Sequence, residues 1–303
     1  MDLNREQVCV FIPTLNEAPT IGEVIQEFRD AGYSRILVMD GQSMDETQEI
    51  ARRSGAEVHA QSTKGKGNAI IEALTLISTP YVLMVDGDGT YSAQDADRMV
   101  EPLLRGYQHV LGERMGERSF SWLNRIGNRL INNLFKMAHG RYLSDILSGY
   151  RAFSLESVRQ MHLKEEGFEI ETEMAVQAMK NNHQIAVIPV QYGVRKGTKT
   201  KLKPFQDGFR IIRTIYRLAR VNNPLFYFGL IGILLFAGGA ITGVYVLVEW
   251  FRNVEHLPMT ILTLLLITLG FEMVMFGVIG DLMLAFHREI QLELQELRQK
   301  KQQ

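Results

Sequence analysis

The chain has 303 residues, long for one soluble domain, which suggests one domain of ordinary size with something added. Its net charge of −1 excludes any argument from overall basicity, so nucleic acid is not favoured as a partner. A single cysteine, Cys9, excludes an internal disulfide; within the apolar run Val8–Ile12 it reads as a buried thiol.

In chain order, the polar start MDLNREQ has no apolar signal segment, so the first part of the chain is expected in the cytoplasm. Strand-like runs follow at Val8–Ile12, Arg35–Met39, Glu57–Ala60, Tyr81–Val85 and His109–Leu111. Helix-like stretches lie between them at Ala18–Ala31, Asp45–Ser54, Gly67–Ile77 and Ala93–Arg105. Short apolar runs separated by amphipathic stretches predict βαβ units, an α/β Rossmann-like fold with a mainly parallel sheet covered on both faces. Ligands of such sheets sit beyond the C-terminal ends of the strands.

That is where the unusual residues fall. Pro13-Thr-Leu-Asn-Glu17 follows the first strand, Asp40-Gly-Gln-Ser-Met-Asp-Glu-Thr47 the second, Lys64-Gly-Lys-Gly67 the third and Asp86-Gly-Asp88 the fourth. Taken singly, Asp45 or Ser43 can cap a helix, and Gly65 and Gly67 can make a turn. Asp86 and Asp88 offer two carboxylates at a strand tip, a seat for Mg2+ or Mn2+ carrying substrate phosphates. Four such ends on one edge point to a common site.

From Phe205 to Val221, Phe209, Ile212, Ile215 and Tyr216 alternate at helical spacing with Arg210, Arg213, Arg217 and Arg220. The segment reads as an interfacial helix with its arginines towards anionic headgroups, or as a linker helix packed on the soluble domain. From Leu225 to Val248 there is no charged residue, and those 24 positions span about 36 Å as a helix, enough for a hydrocarbon core of about 30 Å. A second apolar run, Leu257–Phe286, is interrupted by Glu272 and Asp281, so a two-helix transmembrane hairpin is predicted. Basic residues precede the first span and follow the second, while the loop between carries only Arg252, so both termini are expected on the cytoplasmic side of a multi-pass membrane protein. The tail, with Ile290, Leu294 and Leu297 at helical spacing, permits a helix contact and a homo-oligomer. The expected organisation is a catalytic domain over 1–203, a juxtamembrane helix over 204–223, a hairpin over 224–286 (spans about 225–249 and 258–286) and a tail over 287–303.

Together PTLNE at 13–17, DGQSMDET at 40–47, KGKG at 64–67, DGD at 86–88, SGYRAF at 148–153 and RKGTKTKL at 195–202 resemble a family-two GT-A glycosyltransferase. Within that group the chain resembles the dolichyl-phosphate (polyprenyl-phosphate) hexose synthases, some prokaryotic members of which have a two-span anchor. The resemblance implies a UDP- or GDP-linked nucleotide sugar as donor, dolichyl or polyprenyl phosphate as acceptor, membrane lipids around the anchor, and inversion at the sugar. It implies that Pro13, Leu15 and Glu17 line the base and ribose, that Asp40 contacts the nucleoside, and that Asp86 and Asp88 hold the metal on the donor diphosphate. Lys64 or Lys66, with Gly65 between them, would stabilise the departing nucleoside diphosphate. Arg114, Arg125, Arg195, Thr200 and Lys201 match positions associated with phosphate or acceptor binding. Two positions depart from the pattern: Thr90 stands where Gln is frequent, and Asp40-Gly41 where two aspartates are common.

Asp145, before SGYR, and Glu169, Glu171 and Glu173 are candidates for sugar hydroxyl contacts, Asp145 being preferred. Acids at alternate positions do not share one helical face, so at least one of the three glutamates is expected in solvent. Two other readings stay open: a glycosyltransferase acting on another lipid-linked acceptor, and a catalytically silent subunit that binds sugar nucleotides.

Overall fold

The computed structural model describes residues 3–115, 122–140, 143–195, 197 and 204–302. The chain divides into two compact units, Met1–Lys136 with Arg141–Ile215, and Met137–Gly140 with Tyr216–Gln303.

The first unit is built on seven strands: β1 Val8–Thr14, β2 Arg35–Asp40, β3 Glu57–Ala60, β4 Tyr81–Met84, β5 His109–Met115, β6 Arg151–Ser154 and β7 Ile185–Gln191. They lie in the order β3-β2-β1-β4-β6-β5-β7. Every pairing is parallel except those of β6, which runs antiparallel between β4 and β5, with Leu83 opposite Ala152 and Val110 opposite Ala152. β1, β2 and β4 are apolar along almost their whole length because both faces of the sheet are covered. Helices α1 Ile21–Asp30, α2 Thr47–Arg53, α3 Lys66–Leu76 and α4 Ala96–Leu104 supply the cover, with α5 Trp122–His139, α6 Leu155–Arg159 and α7 Ile170–Lys180 later in the chain. Ile21, Val24, Ile25 and Phe28 of α1 pack with Val8, Val10 and Ile12 of β1 in one core. Cys9 is buried as expected, on the opposite face of β1 from Val8 and Val10.

Helix α1 starts at Ile21 rather than near Ala18, because the stretch before it is held elsewhere. The amide of Ala18 donates to Asp45 (3.2 Å), and the Thr20 hydroxyl donates to the carbonyl of Gly87 (2.8 Å). The start of the chain therefore bridges the second and fourth strand ends.

α8 Pro204–Asn222 leads from the first unit into the second. Its arginines 210, 213, 217 and 220 are exposed, as the pattern requires, but Phe209 is exposed with them, and the buried side carries Ile211, Thr214, Ile215 and Ala219. The second unit holds α9 Pro224–Phe251 and α10 Leu257–Gln302. Asn223 caps α9 by accepting from the amide of Phe226 (3.0 Å), and Pro224 opens the helix where no amide is needed. The two helices pack closely because glycines face each other: a Cβ on Gly232 would lie 2.8 Å from the Gly270 carbonyl oxygen, and one on Gly239 2.8 Å from Ile267. The Thr263 hydroxyl donates to that of Thr242 at 2.9 Å. Pro224–Phe251 and Leu257–His287 are long and apolar enough to cross a membrane.

Candidate active site

The loops at the C-terminal ends of β1 to β4 form one polar edge, knitted by side chains. Asn16 takes a positive φ of 49°, and its amide donates to the Ser43 hydroxyl (2.7 Å). The amide of Glu17 donates to Thr47 (2.8 Å), and that of Met44 to the Asn16 side chain (2.8 Å). Ser43 and Asp45 thus tie the PTLNE loop to the loop after β2, and Asp45 also accepts the amide of Thr47 at the start of α2 (3.1 Å). Asp40 is fully buried and accepts from the Ser43 amide (2.8 Å) and Gln48 (2.7 Å). Pro13, the last but one residue of β1, is half-buried, and Leu15 stays exposed over this edge.

The KGKG turn is shaped by close approach. A Cβ on Gly67 would lie 1.9 Å from the carbonyl oxygen of Glu165, and one on Gly65, at φ 120°, 2.2 Å from that of Glu166. Glycine alone lets the segment before α7 lie on the turn, where the Gly67 amide donates to the Glu166 carbonyl (2.8 Å). This apposition brings Glu171 to Lys66. The Lys66 ammonium donates to Asp86 (2.5 Å) and Glu171 (2.6 Å), with only 12% of its side chain exposed. Burial opposes its charge, but Asp86 and Glu171 outweigh that and raise its pKa. Lys64, by contrast, is exposed.

Asp88 is met by a different cation. Beyond β7, Tyr192 bridges to Tyr91 and the Gly193 amide donates to the Thr90 carbonyl (2.7 Å), which carries Arg195 over the DGD turn. The Arg195 guanidinium lies 3.0 Å from Asp88 and 2.8 Å from Glu17. Thr90 donates to Asp88 through its hydroxyl (2.6 Å) and its amide (3.1 Å). Burial and the neighbouring charge of Asp86 nevertheless raise the Asp88 carboxyl above the usual range.

Arg114, at the end of β5, grips Asp145 with two parallel hydrogen bonds (2.6 and 2.7 Å), and its guanidinium lies 5.3 Å from the centroid of the Tyr192 ring. Asp145 is therefore engaged by an arginine. The residues after it pass behind the metal pair: the Gly149 amide donates to the Tyr91 hydroxyl (3.1 Å), and a Cβ on Gly149 would lie 2.2 Å from an Asp86 carboxylate oxygen. Fully buried Arg151 braces this turn by donating to the carbonyls of Ser148 (2.9 Å) and Ile146 (2.6 Å).

The structure thus brings Glu17, Lys66, Asp86, Asp88, Arg114, Asp145 and Arg195 together through shared partners. Arg125 lies exposed on α5. Thr200 and Lys201 lie outside the described residues. The expectation that one of the three glutamates faces solvent is overturned: Glu169, Glu171 and Glu173 are 8%, 3% and 2% exposed. The segment before α7 folds over that helix, so Glu173 accepts the amides of Lys164 and Glu165 (both 2.8 Å) while Glu171 takes Lys66. Sequence reasoning passed over Tyr91, Tyr192 and Arg151. The first and last stand inside motifs already marked, VDGDGTY and SGYRAF, and Tyr192 carries no comparable signal.

The acidic pair fits a divalent cation. Both side chains offer hard oxygen donors, 28% of the Asp86 side chain is exposed, and the missing Cβ at Gly149 leaves one of its oxygens uncrowded. The like charge on Asp86 that raises Asp88 is what a cation between them would offset. Among the described residues no cluster of three or more His, Cys, Asp or Glu side chains is placed to hold a metal. Substrate phosphate and water would complete a Mg2+ or Mn2+ shell, the usual habit of these ions.

A mixed, mostly parallel sheet with a carboxylate pair at its C-terminal edge is the architecture of the GT-A fold. Residues 9–164 match the family model for glycosyl transferase family 2. The chain is 46% identical over 298 residues to the glycosyltransferase AglJ of Haloferax volcanii, covering 96% of this chain and 98% of that one. It is 30% identical over 217 residues to a dolichyl-phosphate hexose transferase of the same organism, covering 70% and 94%. Glucosyl-3-phosphoglycerate synthase of Mycobacterium tuberculosis, solved with Mn2+, uridine diphosphate and glucosyl-3-phosphoglycerate, superposes with a TM-score of 0.58 at 25% identity, covering 70% of this chain and 79% of that one. The chain belongs to glycosyl transferase family 2.

Proposed function

We propose that this glycosyltransferase moves a hexose or N-acetylhexosamine, with inversion, from a UDP- or GDP-linked donor to dolichyl or polyprenyl phosphate, making a lipid-phosphate sugar for glycan assembly such as protein glycosylation. The observation that carries the reading is the Asp86–Asp88 pair set between two cations, Lys66 and Arg195, in a chain that ends in two membrane-length helices. Likeness to a dolichyl-phosphate hexose transferase supports the lipid phosphate as acceptor.

An oxygen of the acceptor phosphate forms a bond to the anomeric carbon as the bond from that carbon to the donor diphosphate breaks, and the nucleoside diphosphate leaves with the electron pair. A phosphate monoester is already mostly dianionic near neutrality, its second pKa being about 6, so no strong base is needed. Asp86 and Asp88 would hold Mg2+ or Mn2+, which supplies charge stabilisation of the leaving diphosphate. Lys66, and Lys64 beside Gly65, add positive charge on the same side. Pro13, Leu15, Glu17 and Asp40 form the nucleoside end. Arg114, Arg125, Arg195, Thr200 and Lys201 receive the acceptor phosphate, and Asp145 orients Arg114.

In this reading residues 1–203 form a cytoplasmic catalytic domain, 204–223 lie in the membrane interface, 224–286 form the hairpin, and the tail 287–303 returns to the cytoplasm. The test is to incubate the purified full-length protein with a short polyprenyl phosphate and a panel of nucleotide sugars, and to weigh the lipid product. A mass gain of one hexose or N-acetylhexosamine with one donor is expected. Transfer to a lipid diphosphate instead, or no lipid product with any donor, would refute the acceptor assignment.

A further inference from the structure

Glu272 is the midpoint of Leu257–His287, fifteen residues from either end, in a helix otherwise free of charge until Asp281. At 1.5 Å per residue it stands about 22 Å from each end, too deep for a short side chain to reach the interface. Asp281, six residues from the end of the same span at His287, is within such reach. Glu272 also points away from the hairpin. Gly270 faces α9, and two residues at about 100° each turn the helix to the opposite side, so Glu272 is exposed. Neither Pro224–Phe251 nor Leu257–His287 carries a lysine or arginine that could meet it.

The surface around it is patterned. Leu265, Thr268, Glu272, Met275, Ile279 and Leu282 recur at alternating steps of three and four residues, and all are exposed. That is the heptad seam through which helices of two chains interlock, with one polar position setting the register. Resting on the reading of α9 and α10 as a membrane hairpin, we propose that this α10 seam binds the same seam of a second copy, with the two Glu272 side chains meeting at the axis. The choice of a second copy follows from self-complementarity. Thr268 of each copy lies one turn from Glu272 and can donate its hydroxyl to the carboxyl group of the facing chain, so the same two residues supply donor and acceptor on both sides of a two-fold axis. A two-fold interface needs a residue that can face itself, and hydrocarbon offers Glu272 no other partner.

The test uses full-length chains bearing fluorescent tags, in phosphatidylcholine vesicles at increasing lipid dilution, read by energy transfer. The wild type is expected to self-associate. Glu272→Leu, which favours insertion, should weaken association by about three- to twentyfold, the range of an interhelical hydrogen bond, while Glu272→Gln retains it to within about twofold. In a Cys9→Ala background, Ile279→Cys should form an intermolecular disulfide on mild oxidation and Val278→Cys, about 100° around the helix, should not. Equal association of Glu272→Leu and wild type overturns the proposal. So does a wild type that stays monomeric at the highest protein-to-lipid ratio, which would leave the face to a helix of another protein. Carbonate extraction separates the two readings: release from the vesicles sinks the hairpin itself, whereas a retained monomer sinks only the interface.

Discussion

Replacing Lys66 by Met tests the centre of the site most directly. Its ammonium lies 2.5 Å from Asp86 and 2.6 Å from Glu171, and the Glu171 side chain is only 4% exposed. Removing one partner of a buried ion pair typically costs about 3–5 kcal/mol, because the remaining charge is left without compensation. In a unit of this size that is a loss of roughly 6–20 °C in Tm. The pH dependence has a definite sign. In the wild type Lys66 is raised, so its contribution is complete below the unfolded lysine value of about 10.4 and is lost only as pH rises through the raised one. Across pH 5–8 it is therefore constant. In the variant, burial and the charge of Asp86 raise Glu171 further, with Lys66 gone and Arg151 left to oppose them. A carboxyl raised in the native state binds its proton first in that state, so stability recovers as pH falls through the raised value. The Tm deficit should shrink from pH 8 to pH 5, and Lys66→Met with Glu171→Leu should be less destabilised than the single variant. Differential scanning fluorimetry of the detergent-solubilised protein reads all three. A pH-independent deficit, or additive effects of the two substitutions, would refute the buried triad.

Asp88→Asn should abolish sugar transfer and Mn2+ binding, the latter read by calorimetry, yet melt at or above the wild type, because burial and Asp86 work against the native carboxylate. A lower melting point would mean that Asp88 is chiefly structural. Gly67→Ala places a Cβ 1.9 Å from a backbone oxygen of Glu165 and should cost about 1–3 kcal/mol, with faster proteolysis of the segment before α7. An unchanged digestion pattern would argue against the close approach. Arg195→Ala should raise the acceptor KM at least tenfold, from a lost charged phosphate contact worth about 2–5 kcal/mol, while nucleotide affinity holds. Assay in detergent with a short polyprenyl phosphate removes any bilayer charge, so an acceptor KM unchanged there assigns Arg195 to another duty. Cys9, whose thiol burial pushes up to about 12, should resist alkylation at pH 8 until the domain unfolds; rapid native labelling would show the first strand to be open.

The fold was legible where one strand equals one apolar run. β1, β2 and β4 are such runs, each followed by the polar loop that marks its end, whereas β3 carries Glu57 and His59 and β5 runs past its apolar start to Glu113 and Arg114. β6 and β7 were not read as strands, for separate reasons. β6 is four residues long and opens with Arg151, whose charge breaks the apolar pattern although the side chain is wholly buried. That burial is tolerated because backbone carbonyls of its own turn accept the guanidinium, a partnership invisible in a hydropathy reading. β7 contains Pro189, an argument against a central strand, but it lies at the edge of the sheet, where a missing amide costs no ladder bond.

The site divides along a similar line. Asp86 and Asp88 announce themselves because two carboxylates and two glycines follow one apolar strand. Their counter-charges do not, because Lys66 reaches Glu171 across 105 positions and Arg195 reaches Glu17 across 178. Pairing at such distances is decided by backbone approach, here by the glycines at 65 and 67 and by the Tyr91–Tyr192 bridge. This also changes how the two cations are weighed. In the sequence Lys64 and Lys66 are equivalent, and Arg195 is one of several basic residues in a strip. In the folded chain Lys66 is enclosed between two carboxylates while Lys64 is exposed, and Arg195 spans Glu17 after β1 and Asp88 after β4. A cation bound at Asp88 would compete with Arg195 for the same oxygens.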